Sequence, residues 1–218
     1  MRKRLGLLLV VIIGGLFLLP NLQGSLPKIV AMSQTMAVQA TNQLTVQLPL
    51  MGRQEKSVMT PIESIVEPQT LKKTYYYRFA GNLPDKAVQT FGAAIAIYND
   101  TGIVNLVAGD ATDRQNGMTI FGYHKVMPAD KSDYLELGKG GPEIEEVSGF
   151  QGYTANHARA GVNLQYPQGV KLSVALHEVG HALGLDHSSS RRSVMYPIDQ
   201  GKSALSAGDL KALHTLYE

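Results

Sequence analysis

The sequence predicts an α+β fold, and three observations carry that expectation. Runs of strand-forming residues recur between residues 74 and 166. An amphipathic helical face follows the first run, and another closes the chain. Between the last strand run and the closing helix lies His177-Glu178-Val179-Gly180-His181-Ala182-Leu183-Gly184-Leu185-Asp186-His187, in which two histidines four apart share one face of a helix.

The elements follow in order. Tyr75-Tyr76-Tyr77-Arg78-Phe79 is rich in residues that suit a pleated surface and predicts a first strand. Asn82-Leu83-Pro84-Asp85 marks a helix start, with proline near the first turn. Ala87, Val88, Phe91, Ala94, Ile95 and Tyr98 then fall on one helical face, and Asn99-Asp100-Thr101-Gly102 stops it. Residues 103–107 and 118–124 predict a second and a third strand. Pro128, Gly138, Gly140, Gly141 and Pro142 predict an extended surface loop over 128–149, with at most an irregular edge strand. Val162, Leu164 and Tyr166 alternate within 160–166 and predict a strand feeding the histidine helix. Ser206 and Asp209 form the frame of a capping box for a last helix, whose apolar face is Leu210, Leu213 and Tyr217. His214 is expected in the core on that helix.

The histidine segment carries chemistry. His177 and His181 can reach one ion, and imidazole nitrogen suits Zn²⁺ at roughly 2.0–2.1 Å. Glu178 is rotated about 100° from the first ligand, so its carboxylate stands beside the metal and can serve as the general base. A straight helix would carry His187 away. Gly184 allows the chain to turn and bring it back as the third ligand. Three protein ligands leave a position open for water, as in catalytic zinc sites. With 6 His, 22 Gly and 9 Glu in 218 residues, chance placement of those five residues at this spacing is expected roughly twice in 100,000 such chains.

On these residues the chain resembles the metzincin metallopeptidases, in their matrixin-like branch. Ser193-Val194-Met195-Tyr196-Pro197 is similar to the Met-turn of that family, and the resemblance implies that Met195 forms an apolar floor under the histidines. Asp199 stands where relatives often have a tyrosine that walls the substrate pocket, and Gly208-Asp209 stands where they often have two aspartates. The implied fold is a zincin-like catalytic domain: a twisted, mostly parallel sheet of about four or five strands, three helices and a zinc cleft at the histidine helix. The implied activity is that of a zinc endopeptidase acting on protein or peptide substrates, with the strand before the 128–149 loop pairing with an extended substrate. Calcium is a further implied ion, with Asp110, Asp113, Asp130 and Asp133 as loop acids; His124 and His157 are expected as surface or hydrogen-bonded histidines rather than ligands of a second zinc. A non-catalytic, zinc-bound binding module at the cell surface is the alternative, against which the intact Glu178 counts. Another HExxH hydrolase, of the deformylase kind, is disfavoured by His187, Met195 and the export signal.

That signal is read at the N-terminus. Arg2-Lys3-Arg4 is followed by an apolar run over 5–19, ended by Pro20. The pattern predicts a secretory signal or membrane anchor over 1–24, an irregular linker or propeptide over 25–69, and the peptidase domain over 70–218. The protein is then expected outside the cell, secreted or anchored at the outer face of the membrane. Cysteine is absent, which excludes disulfides, a cysteine zinc site and a thiol nucleophile. A net charge of +2 gives no reason to expect a nucleic-acid partner.

Overall fold

The computed structural model describes residues 2–6, 9–14, 58–81, 83–128 and 134–218. Its elements are β1 (Arg2–Gly6), β2 (Leu9–Gly14), β3 (Thr74–Phe79), α1 (Asp85–Asp100), β4 (Asn105–Ala108), β5 (Asn116–Tyr123), β6 (Tyr134–Gly141), β7 (Glu143–Val147), β8 (Tyr153–Asn163), α2 (Leu172–Ala182) and α3 (Ala207–Tyr217). The architecture is α+β, as the order of sequence patterns predicts.

The strands read from the sequence form the parallel part of the sheet, β4-β3-β5-β8. β5 is buried on both faces, which suits an interior parallel strand. The antiparallel part is β6 and β7, both paired with β8. Gly141 opposes Arg159 and Ile144 opposes Asn156, so the two strands keep one register on either side of Pro142. A proline has no N–H to donate to the ladder, which accounts for the break. β1 and β2 lie antiparallel on β7 and β6; the rest of the segment read as an export signal lies outside the described residues.

Two expectations are corrected here. The glycine-rich stretch 128–149 is not mainly a loop, because β6 and β7 occupy most of its described part. The strand before it, β5, is flanked by β3 and β8 and has no free edge for a substrate. β6 and β8 both lie beside the histidine helix, and β6 is the one whose glycines face Glu178.

α1 begins after Pro84 and buries Ala87, Phe91, Ala94, Ile95 and Tyr98, the face read from the sequence, with Val88 half-buried. Full burial of large apolar side chains such as Phe91 contributes about 1.5–3 kcal/mol each. α2 is buried on every side from Ser173 to Ala182. It packs against α1, β6 and β8, and Tyr98 donates to the Leu176 carbonyl at 2.9 Å. α3 has the complete capping box of Ser206 and Asp209. Its buried face is Ala212, Leu213, Leu216 and Tyr217. His214 is therefore not a core residue: it lies off that face, exposed, against Glu218 one turn on. Among the described residues no helix is long and apolar enough to cross a membrane.

Among the described residues of the stretch read as an irregular linker or propeptide over 25–69, burial begins at Thr60. Residues 58–73 are largely irregular, yet Thr60, Glu63, Val66 and Leu71 are buried. The segment bonds to the end of α2 and to both ends of α3 through Glu63 N–H to the Gly184 carbonyl (2.9 Å), Thr60 N–H to the Gly208 carbonyl (3.1 Å) and Gln69 N–H to the Leu216 carbonyl (2.7 Å). We refer to it as the strap.

Candidate metal centre

The end of α2 shapes the site. Leu185 N–H donates to the Gly180 carbonyl and Gly184 N–H to the His181 carbonyl, both at 2.9 Å. This is the paired bonding of a glycine-terminated helix, and Gly184 takes φ +99° to make it. The last carbonyls of α2 also find side chains: Asn156 donates to Ala182 and Tyr217 to Leu183. The helix thus stops within one turn, and His187 returns toward the histidines of α2.

The ligand atoms of His177, His181 and His187 all lie within 4.8 Å of one another. His177 and His181 approach to 2.9 Å between their Nε2 atoms. Each Nδ1 faces a carbonyl, Val194 for His177 (2.7 Å) and Leu185 for His181 (2.8 Å). A carbonyl only accepts, so Nδ1 carries the proton and the Nε2 lone pair is left for a metal. Burial holds the His177 and His187 imidazoliums well below and below their usual range, and pushes His181 down to about 3. Neutral imidazole is the form that binds metal. Buried His187 Nε2 and both Glu178 carboxylate oxygens have no hydrogen-bond partner among the described residues. Three convergent neutral nitrogens fit a zinc ion.

Glu178 is fully buried, facing β6. Its carboxyl is pushed well above the ordinary range by burial and then by the nearby Glu136. Glu136 is itself buried and takes bonds from Tyr123 (2.9 Å) and Lys125. Met195 is fully buried under α2, and Gly180 makes room for it: a Cβ there would meet Met195 Sδ at 2.4 Å. The turn carrying Met195 is held by Asp209, which accepts from Thr60 Oγ1 (2.6 Å), Ser193 Oγ and Val194 N–H (3.2 Å).

The structure brings together the site residues that the sequence singles out: His177, Glu178, His181, His187, Gly184 and Met195. It places His124 at the surface and His157 half-buried beside Glu145 at 3.5 Å. Asp110 and Asp113 stand exposed, and Asp130 and Asp133 lie outside the described residues. Among the described residues the three-histidine set is the group of metal-binding side chains that converges. Sequence reasoning missed Glu63, Asp209 as an anchor of the Met195 turn, and β6. For β6 a signal existed, in Leu135 and Leu137 alternating with Glu136 and Gly138.

The Matrixin family model matches residues 108–218, just over half of the chain and all three histidines. The chain belongs to the matrixin family. Matrixins are zinc metallopeptidases, and the three-histidine cluster fits that metal. Macrophage metalloelastase of Oryctolagus cuniculus is 48% identical over 48 residues, covering 20% of this chain and 10% of the relative. Matrilysin of Felis catus is 50% identical over 50 residues, covering 21% and 19%. A longer match, to macrophage metalloelastase of Rattus norvegicus, is 36% identical over 97 residues and covers 40% and 21%. The chain thus spans about a fifth or less of the length of these matrixins, and the family match begins after the strap, β3 and α1.

Proposed function

We propose that this matrixin is a zinc-dependent endopeptidase, secreted or anchored at the outer face of the cell membrane. One observation carries the reading: three imidazole nitrogens converge at the end of the helix that carries the buried Glu178. His177, His181 and His187 would hold the ion, with Met195 and Gly184 supporting them. Zinc supplies a Lewis acid that makes water nucleophilic near neutral pH and polarises a carbonyl.

Glu178 takes a proton from the attacking water and returns it to the leaving amine. Its raised carboxyl range suits a group that must both accept and give back a proton. Glu136, held by Tyr123 and Lys125, keeps a second negative charge near it. An extended peptide substrate lies along β6 by main-chain bonds, on the edge that β2 takes antiparallel in this structure. Export rests on the Arg2-Lys3-Arg4 cluster and the apolar run after it, whose removal leaves the β6 edge open. Calcium, if used, would draw on loop acids such as Asp110 and Asp113.

Hydrolysis of a casein-type substrate, loss of that hydrolysis with a chelator, and recovery with Zn²⁺ test the reading. Hydrolysis that persists in protein shown to hold no divalent metal sinks it.

A further inference from the structure

We propose that Glu63, on the strap and outside the histidine motif, is a positioning residue for His181. The inference rests on the zinc site described above and goes beyond it, because Glu63 lies before the matched part of the chain.

Glu63 is 1% exposed. Its Oε1 is 3.1 Å from His181 Nδ1, and its Oε2 has no hydrogen-bond partner among the described residues. Its ion-pair partner among the described residues is His181, with no lysine or arginine beside it. A carboxylate removed from water at this depth costs several kcal/mol unless charge or donors offset it. Packing alone gives no reason for an acid here. A cation held on the far side of the same ring does.

The carboxylate is also fixed in place. Glu63 N–H donates to the Gly184 carbonyl at 2.9 Å, Ile62 bridges to Leu185, and Asp186 N–H donates to the Pro61 carbonyl at 2.8 Å. Residues 61–63 are thereby stitched to the turn that returns His187. Among the described residues the Nδ1–H of His181 meets two acceptors, the Leu185 carbonyl and Glu63 Oε1, whereas that of His177 meets the Val194 carbonyl alone. The carbonyl is enough to set the tautomer. The carboxylate adds negative charge behind the ring, which makes Nε2 a stronger metal donor. One of the three ligands is thus tuned from a segment remote in sequence.

The test compares wild type with Glu63→Gln, which keeps shape and removes the charge. Zn²⁺ affinity is read by competition with a chromophoric chelator, and ligand field by the visible bands of the Co²⁺-loaded protein. The expected result is Zn²⁺ binding about 10–100-fold weaker, with shifted Co²⁺ bands and an unchanged far-UV circular dichroism spectrum. A folded Glu63→Gln protein with wild-type Zn²⁺ affinity and wild-type Co²⁺ bands overturns the proposal, even if its thermal stability differs. If Glu63→Gln does not fold, Glu63→Asp decides in the same way: weaker Zn²⁺ and shifted bands support the role, and unchanged values overturn it. Failure of the wild type itself to bind Zn²⁺ sinks the metal-site reading instead, and shows before any variant is compared.

Discussion

Gly138 of β6 lies directly against Glu178: a Cβ on the glycine would stand 2.3 Å from Glu178 Oε1 and 2.6 Å from its carboxyl carbon. Gly140, two residues on and on the same face, is nearly as close, with Glu178 Oε2 at 3.0 Å. The buried carboxylate is held by the absence of side chains on its neighbour. Gly138→Ala is therefore expected to fold, with a loss of about 1–3 kcal/mol from overpacking, and to retain zinc. Its kcat should fall at least about tenfold as Glu178 is displaced. Steady-state kinetics with metal analysis checks this; wild-type kcat in Gly138→Ala would contradict the placement of Glu178.

Glu178→Gln separates metal binding from chemistry. The side chain keeps its size but cannot take a proton. Zinc content should match wild type, while kcat drops by about 10²–10⁴. Cleavage at the wild-type rate would mean that another group is the base.

Asp209 gathers Thr60, Ser193, Val194 N–H and Ser206 N–H on one buried carboxylate. Hydrogen bonds to a charged group contribute about 1.5–3 kcal/mol each, and those left unmade are costly. Asp209→Ala should destabilise the protein by about 3 kcal/mol or more, read by urea unfolding. A change below about 1 kcal/mol would show that the Met195 turn does not depend on Asp209.

Truncation tests the strap. A chain starting at residue 70 lacks Thr60 and Glu63, and should fail to give a cooperative, zinc-loaded fold. A chain starting at residue 25 keeps the strap and loses β1 and β2. It should fold, and it should cleave peptides faster than the full chain because the β6 edge is free. Equal rates for the full and the leaderless chain would argue that β2 does not hold that edge in solution.

The metal-free protein should have a pH profile with a definite sign. For His177, His181 and His187 the folded state holds the proton less well than the unfolded chain at the usual 6.5. Their contribution to stability is present above 6.5 and is lost as pH falls, for His181 down to about 3. Glu63, raised to about 7 by burial and then by Asp186, and Glu178, also raised, act in the opposite sense. Their contribution is present below the usual 4.5 and is lost as pH rises. Between 4.5 and 6.5 the histidines and the two carboxylates act against each other. Below 4.5 the carboxylates drop out of the balance, and the loss of the His181 contribution with acid is no longer opposed by them. Urea midpoints of the metal-free protein across this range check it. In Glu63→Gln the metal-free protein should gain on wild type as pH rises from 4.5 to 7.

The parts of this matrixin that were legible in sequence are those where one pattern maps to one geometry. The HExxH spacing and Gly184 foretell the convergence of His177, His181 and His187 because a helix and its glycine stop leave little freedom. α1 was readable because its apolar residues repeat at the helical period and Pro84 and Gly102 bracket it. β6 was not, because Gly138, Gly140 and Gly141 look like loop residues, and the proximity of Glu178 is what explains the first two in a strand. Glu63 was hidden for another reason: the strap has no periodicity, and its partners are more than a hundred residues away. His214 was misplaced because it sits at the margin of the α3 face, one residue past Leu213, where a small rotation of the helix decides burial.

At Gly208 a Cβ would fall 2.3 Å from the Val58 carbonyl oxygen. Backbone cannot swing aside as a side-chain tip can, so no larger residue fits there while Val58 keeps its course. Descendants of this chain can exchange Gly208 only by letting go of the peptide that crosses it. The vacant spot beside Asp209 and the path of the N-terminal peptide are thus inherited together, as a single trait.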